Sequence, residues 1–327
     1  MSQAAITARR TPVAEWGERL GLPILLAVIV VFFSVFPASS RAFFSVANLT
    51  VVLANQSVIM LVAIALMFPL IAGHFDFSVG AMTVLAAVVC AGANVRLGLP
   101  LAVSILLAIA VGLLIGLVNG ILVARFGLNS FVSTLGAATL IGGLVQWYTG
   151  GQAIIGIDAV LLQFGSRQWF GVPRVLFVVV IVAVVAWYVL GHTPFGRALY
   201  AIGSNARSAD LVGLPRTRYT VLAFATSGLL AGIAGVALTA RTGGANPDTG
   251  TYLIFPALAA VFLGATAIIP GRFNVLGTVI GVLFVAVSVS GLTLAGAQNW
   301  VDAVFNGAAL IIAVFVSSIL RKRRSGG

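Results

Sequence analysis

The amino-acid sequence predicts an all-α polytopic membrane protein of about ten transmembrane helices, with both termini cytoplasmic, some helices glycine-interrupted, and an internal parallel repeat. Three observations carry that expectation. Of 327 residues, 61% are hydrophobic and only 8% charged, where a soluble domain carries roughly 25% charged residues. The apolar stretches are mostly long and continuous, as spanning helices require, and are unlike the short alternating strands of an outer-membrane barrel. The basic residues also divide unevenly between alternate loops. With the N-terminus inside and ten spans, Arg9, Arg10, Arg19, Arg125, Arg197, Arg207, Arg216, Arg218, Arg272, Arg321, Lys322, Arg323 and Arg324 fall inside, while Arg41, Arg96, Arg167, Arg174 and Arg241 fall outside. Cytoplasmic loops carry the excess of Lys and Arg, so the imbalance favours an even number of spans.

The chain begins with a polar cytoplasmic tail, residues 1–21. No clear small-residue cleavage site follows the first apolar run, so no removable signal peptide is expected. Residues 22–320 form the transmembrane domain. Its first span, Leu22 to Phe36, is short and bracketed by Pro23 and Pro37. The second runs from about Thr50 to Ala72. Gly73 to Gly80, GHFDFSVG, then breaks the apolar pattern before a third span, Ala81 to Val95. The fourth, Leu101 to Ala124, places Gly112, Gly116 and Gly120 at every fourth position, a small-residue face whose expected role is close helix contact. Ser130 to Tyr148 is a fifth span rich in Gly, Ser and Thr. An external loop, residues 149–173, leads to the sixth, Val175 to Leu190. After a cytoplasmic loop, residues 192–218, come Tyr219 to Ala240, Phe255 to Ile269, Phe273 to Leu294 and Trp300 to Leu320. A basic cytoplasmic tail, residues 321–327, ends the chain.

The loop at 192–218 contains a basic island, Phe195 to Arg218, with four arginines against Asp210. Asn205 is a good N-cap, Gly213 a good C′ residue and Pro215 a stop, so a helix of about two turns is expected over Ala206 to Val212. A short capped helix on a cytoplasmic face is shaped to be gripped by another molecule. The plainer reading is an inner loop that satisfies the positive-inside pattern and nothing more.

Several chemistries lack their residues. Cys90 is the only cysteine, and His74 and His192 are the only histidines, so an internal disulfide is excluded and a zinc site has few ligands. Lys322 is the only lysine. A P-loop needs one after its glycine-rich turn, so any ATP used here is bound by another polypeptide, and no cofactor is expected on this chain. There is no GxSxG, no HExxH and no second acid near Asp76, so no enzyme is expected. The net charge of +11 is spread among apolar spans, which fits inner-leaflet orientation better than nucleic acid.

Gly73, Gly80 and Val84-Leu85 recur as Gly264, Gly271 and Val275-Leu276 at a constant offset of 191. Both copies end an outside-to-inside span, which suggests a parallel repeat of glycine-interrupted segments lining a path. Asp76 lies in or beside the apolar layer, where an acid costs about 2.5 to 3.5 kcal/mol on insertion scales. It reads either as a polar lining or gate residue, or as a helix cap, with Asp76 or Ser78 capping the span that starts near Gly80. His74 is a local hydrogen-bonder or a proton relay. Asn55, Gln56, Asn119, Asn129, Ser133 and Gln146 can hydrogen-bond a polyhydroxylated solute or hold two helices together, and Asn306 and Asp302 share that ambiguity. The path candidates are Asn55, Gln56, His74, Asp76, Ser78, Asn119, Asn129 and Ser133. Trp147, Tyr148, Trp169, Trp187 and Trp300 read as interfacial anchors.

Three motifs resemble those of permease subunits of sugar ABC importers of the ribose, xylose and autoinducer type. LIAGHFDFSVG, Leu70 to Gly80, resembles a Gly-Gly-Ile-Asp-Leu-Ser-Val-Gly signature. FGRALYAIGSNARSADLVGL, Phe195 to Leu214, resembles the cytoplasmic coupling segment, and FLGATAIIPGRFNVLGTVIG, Phe262 to Gly281, the second glycine-rich segment. The resemblance runs from the second span to the C-terminus. It implies a multi-pass protein of the bacterial cytoplasmic (inner) membrane, with a pore formed by two permease copies or by this chain and a sister permease. It implies that the helix from Asn205 to Gly213 docks in a groove of an ATP-binding subunit, with Gly203, Asn205, Arg207, Asp210, Leu211 and Gly213 as coupling residues. A periplasmic or lipid-anchored solute-binding protein would deliver the sugar at the outer loops. Two departures stand out: His74 replaces the usual glycine, and Ile268 to Gly271, IIPG, replaces a serine- and glycine-rich turn, with Pro270 stiffening it. The alternatives are a branched-chain amino-acid permease, which shares this general plan, and a self-sufficient secondary carrier.

Overall fold

The computed structural model describes residues 12–325. Fourteen α-helices lie among the described residues: α1 (Pro12–Val35), α2 (Ser40–Phe43), α3 (Val46–Ile71), α4 (Val79–Ala91), α5 (Leu101–Ala124), α6 (Ser130–Thr149), α7 (Ala159–Ser166), α8 (Arg174–His192), α9 (Pro194–Ser204), α10 (Ala206–Leu211), α11 (Arg216–Thr242), α12 (Gly250–Gly264), α13 (Val275–Leu294) and α14 (Trp300–Ser325). Eight spans among the described residues are long and apolar enough to cross a membrane, and Arg19–Val35 is a shorter apolar stretch. The protein is an all-α polytopic membrane protein. Each of the ten expected spans is helical, although α12 has only 15 residues.

Glycine contact sets how the bundle packs. Gly112, Gly116 and Gly120 of α5 lie against Val221, Phe224, Gly228 and Gly232 of α11, so close that a methyl at Gly116 would overlap the Phe224 carbonyl oxygen. The packing role expected of this face is the one it has. Around that seam, α4, α11, α12 and the second half of α3 are largely buried, with Leu61 to Leu66 fully so, while α5, α6, α8 and α14 keep exposed apolar faces. Gly116→Ala is expected to destabilise the purified protein by about 1 to 3 kcal/mol through overpacking, read as a lower unfolding temperature in detergent. Gly136→Ala on α6, with open space at the added methyl, is expected to be neutral or slightly stabilising, because alanine is the better helix former.

The connections sort to two ends of the bundle. At one end, residues 72–78 bond the start of α6 through Ser130, and residues 265–274 bond α9 through Tyr200. At the opposite end, the Asp158 N–H donates to Asn94 at 2.8 Å, the Arg96 guanidinium donates to the Tyr148 carbonyl at 2.7 Å, and Ile154–Ile155 pairs antiparallel with Gly244–Ala245. The first end holds Arg125, Arg197, Arg207, Arg216, Arg218 and Arg272 in its connections; it is called the basic end below.

Several boundaries differ from expectation. The first span is not bracketed by Pro23: α1 starts at Pro12 and Pro23 lies inside it. Proline cannot donate to the carbonyl four residues back, and that carbonyl, on Arg19, accepts instead from the Ile268 N–H at 3.0 Å. The tail expected over residues 1–21 is therefore helical from residue 12, and its earlier part lies outside the described residues. The third span closes in a π-turn, Gly92–Arg96. The eighth begins five residues before Phe255 and stops at Gly264, because residues 265–274 are held by the Asn274 amide, which donates to the carbonyls of Ala267 and Arg272. The segments 73–80 and 264–271 join separate helices rather than interrupting one. The external loop 149–173 contains α7, capped by Asp158. The basic island contains a helix that was not expected, α9, started by Thr193 as N-cap and Pro194 in its first turn. The last helix continues beyond Leu320 to Ser325, into the expected tail.

Candidate functional site

The basic island folds as two helices at right use of their caps: α9 turns an apolar face inward, burying Ala198, Leu199 and Ile202. Its Phe195 ring lies between Phe68 of α3 and Tyr219 of α11, at 6.4 and 6.1 Å between centroids. Near its end, Gly203 rests on the Ile71 carbonyl and Gly73 with no room for a side chain. Tyr200 donates its hydroxyl to the Phe273 carbonyl at 2.7 Å, and the Arg272 guanidinium stacks 3.5 Å over the Tyr200 ring. One helix thus touches both glycine-containing connections.

The short helix α10 is carried by α9. Asn205 is the last cap of α9 and the N-cap of α10, where its side-chain oxygen accepts from the Ser208 N–H at 3.0 Å. Gly213 adopts a φ of +75°, the left-handed turn that favours glycine. Leu214 then donates its N–H to the Ala209 carbonyl, and Asp210 pairs with Arg216 at 3.3 Å. Both expected caps are in place. Ala209 is buried, but Leu211 and Val212 are 82% and 75% exposed, with Arg207 exposed nearby. Of the expected coupling residues, Asn205, Arg207, Asp210, Leu211 and Gly213 are exposed, whereas half-buried Gly203 packs inward.

Behind α9, residues 72–78 are fastened by a polar network that the sequence does not reveal as a unit. Asp76 is buried and accepts from the Ser78 N–H at 3.0 Å and from the Ser78 hydroxyl. The Ser227 hydroxyl of α11 donates to its other oxygen at 3.3 Å. The Asn119 amide of α5 donates to the Ser78 hydroxyl at 2.8 Å. Ser78 is the N-cap residue of α4 but makes no side-chain cap bond, and Asp76 accepts from its N–H in the turn just before the helix. Three path candidates, Asp76, Ser78 and Asn119, therefore meet in one buried cluster. The fourth member, Ser227, sits 151 residues beyond Asp76 in a small-residue helix face whose pairing only tertiary structure defines.

The other candidates lie elsewhere. His74 is half-buried with its ring 6.1 Å from that of Phe224. Asn129 is exposed and caps α6 by accepting from the Val132 N–H at 3.2 Å. The Ser133 hydroxyl is buried without a hydrogen-bond partner. Asn55 is exposed and Gln56 half-buried on α3, away from the basic end. Gln146 donates to Asp248 at 2.7 Å at the opposite end. Asn306 donates to Asp302 within α14. Among the described residues, no three His, Cys, Asp or Glu side chains gather as a metal site.

A family model for the permease component of branched-chain amino acid transport systems matches residues 48–314. The chain is 34% identical over 302 residues to the ribose import permease protein of Bacillus subtilis, covering 92% of this chain and 91% of that protein. It is 32% identical over 289 residues to the fructose import permease protein of Rhizobium meliloti, covering 86% and 80%, and 31% identical over 298 residues to the autoinducer 2 import system permease protein of Salmonella choleraesuis, covering 91% and 85%. No solved structure matches the chain. These relatives bear out the resemblance carried by the three motifs. The match over most of the chain, on a bundle of membrane-length helices, places it: the chain belongs to the family of transport-system permease components that this model describes.

Proposed function

We propose that the chain is the membrane-spanning permease subunit of an ATP-binding-cassette importer for a sugar or sugar-like solute, in a bacterial inner membrane. The observation that carries the reading is α10: a capped helix with exposed Leu211, Val212 and Arg207, mounted on a helix that touches both glycine-containing connections. An ATP-binding subunit that grips α10 moves α9, and α9 moves the two connections. The import-permease names of the relatives support the solute class. The basic end is then cytoplasmic, both termini lie there, and the helices make ten spans, which the placement of the arginines supports. The two connections at that end, preceded by α3 and α12, fit a parallel repeat. A second permease copy or a sister chain completes the pore, and an external binding protein delivers solute at the 149–173 end.

The test is reconstitution in nanodiscs with a candidate ABC ATPase and solute-binding protein, and a panel of sugars and branched-chain amino acids. Solute-stimulated ATP hydrolysis is expected with a sugar. In the Arg207→Glu, Gly213→Val double variant, stimulation is expected to fall to the basal rate while the protein stays folded. Stimulation by an amino acid alone would move the solute class to the branched-chain type. Solute flux through liposomes of this chain alone, with no ATPase, would overturn the reading.

A further inference from the structure

Five phenylalanine rings form an unbroken row near the basic end. Phe131 of α6 meets Phe77 edge-on at 4.9 Å, Phe77 lies 6.5 Å from Phe75, Phe75 stacks on Phe262 of α12 at 6.1 Å, and Phe262 meets Phe273 at 5.4 Å. Two cavities flank the row. One, of about 440 Å³, is walled by α4, α6 and α12, with Phe77 among its lining and the Gln146–Asp248 pair at the far end. The other, of about 300 Å³, is lined by Gly73, Phe75, Phe262 and Phe273, and by Ser317 and Ser318 of α14. Phe77 lines only the first and Phe75 only the second, although they are separated in sequence by the buried Asp76 alone.

We propose that these cavities are successive chambers of one solute path and that Phe75 and Phe77 are the closed barrier between them. The proposal rests on the permease reading. The larger chamber has the character of a small-molecule site, apolar walls with a few polar groups, and its polar pair offers both a donor and an acceptor to a hydroxylated solute. The barrier is held at three points. Asp76 fixes the segment to the core, the Phe75 N–H donates to the Ser130 hydroxyl at 3.2 Å, and the Phe77 N–H donates to the Thr134 hydroxyl at 2.9 Å. Residues 74–76 have no helical ladder of their own, so the rings move when these anchors move. The helix α9 that carries α10 reaches the row at two places: Gly203 abuts Gly73, two residues before Phe75, and Tyr200 bonds the Phe273 carbonyl. Displacement of α9 thus acts on the barrier directly.

The test uses proteoliposomes containing the chain with its ATPase and binding protein. Phe75→Ala, Phe77→Ala is expected to raise ATP-independent leak of the transported solute by about tenfold, a barrier lowered by about 1.4 kcal/mol. Phe75→Trp, at a partly exposed position, is expected to do the opposite: ATP-driven uptake falls about tenfold while solute-stimulated hydrolysis stays at the wild-type level. Sided labelling needs no change to the row. Thr139→Cys and Ser318→Cys, each with the buried Cys90 changed to Ala, are expected to react with an impermeant thiol reagent from opposite faces in the absence of nucleotide. Wild-type uptake with leak, uptake and sidedness all unaltered by these changes, or one face labelling both cysteines, overturns the barrier alone. Wild-type vesicles that take up no solute of the panel overturn the permease reading and the barrier with it.

Discussion

Gly203→Val is expected to abolish ATP-driven uptake while leaving basal ATP hydrolysis intact. The physical reason lies in what surrounds the glycine. An added methyl would overlap the Ile71 carbonyl oxygen, a backbone atom that cannot rotate aside. The valine must therefore lift α9 from the end of α3, and the contacts of the same helix are then lost or stretched: Phe195 on Phe68, and Tyr200 on Phe273 and Arg272. Overpacking of this kind costs about 1 to 3 kcal/mol, enough to shift an equilibrium between two arrangements by about five- to 150-fold. Because Asn205 joins α9 to α10, the proposed docking helix α10 remains formed but moves relative to the two connections. Parallel measurement of uptake and hydrolysis in proteoliposomes separates this outcome from simple misfolding. Gly213 is the control: it has open space around it and only its left-handed φ of +75° to defend. Gly213→Ala is expected to weaken the end of α10 and reduce coupling partially. Equal loss in the two variants would mean that α10 alone carries the coupling and that the α9 contact is incidental.

The difference between these two glycines also shows what the sequence makes legible. Gly213 is readable because its role is local: a cap residue before Leu-Pro, with Asn205 opening the helix, is a pattern within eleven residues. The fourth span was readable to the residue, since Pro100 and the Arg125 turn bound one apolar run. Its glycine face announces packing by periodicity alone. Gly203, by contrast, is singled out in the sequence only by the family resemblance, and its packing is hidden there because the atom it must avoid belongs to Ile71. The helix α9 escaped notice for a related reason. Its apolar positions are spaced by Gly and Arg in a segment that reads as polar, and only the Thr193-Pro194 start, N-cap followed by first-turn proline, carried a usable local signal. The extension of α1 through Pro23 depends on Ile268 accepting the role of donor to Arg19, a pairing that no window along the chain contains.

Asp76 divides the two readings that its position allowed, and the division is measurable. In the structure it is an acceptor at the centre of a clamp. Asp76→Ala would leave the Ser78 N–H, the Ser78 hydroxyl and the Ser227 hydroxyl without that acceptor. Buried unsatisfied groups cost about 1 to 3 kcal/mol each in soluble proteins, and polar pairs between membrane helices average about 0.6 kcal/mol. Over the three groups these bracket an expected loss of about 2 to 9 kcal/mol, seen as a large fall in unfolding temperature in detergent and in poor accumulation in the membrane. Asp76→Asn is expected to behave differently. Its amide oxygen still accepts from Ser78, its NH₂ can donate to the Ser227 oxygen, and it carries none of the insertion cost of an intramembrane charge. A clamp therefore predicts that Asn retains both stability and transport. A charge used along the path predicts instead a stable protein that no longer transports. Ser227→Ala completes a double-mutant cycle with Asp76→Asn, and a clamp requires the two to be coupled in stability. Additive stability effects, together with loss of uptake in the folded Asn variant, would return Asp76 to the solute path and leave the fastening of residues 72–78 to Ser130 and Thr134.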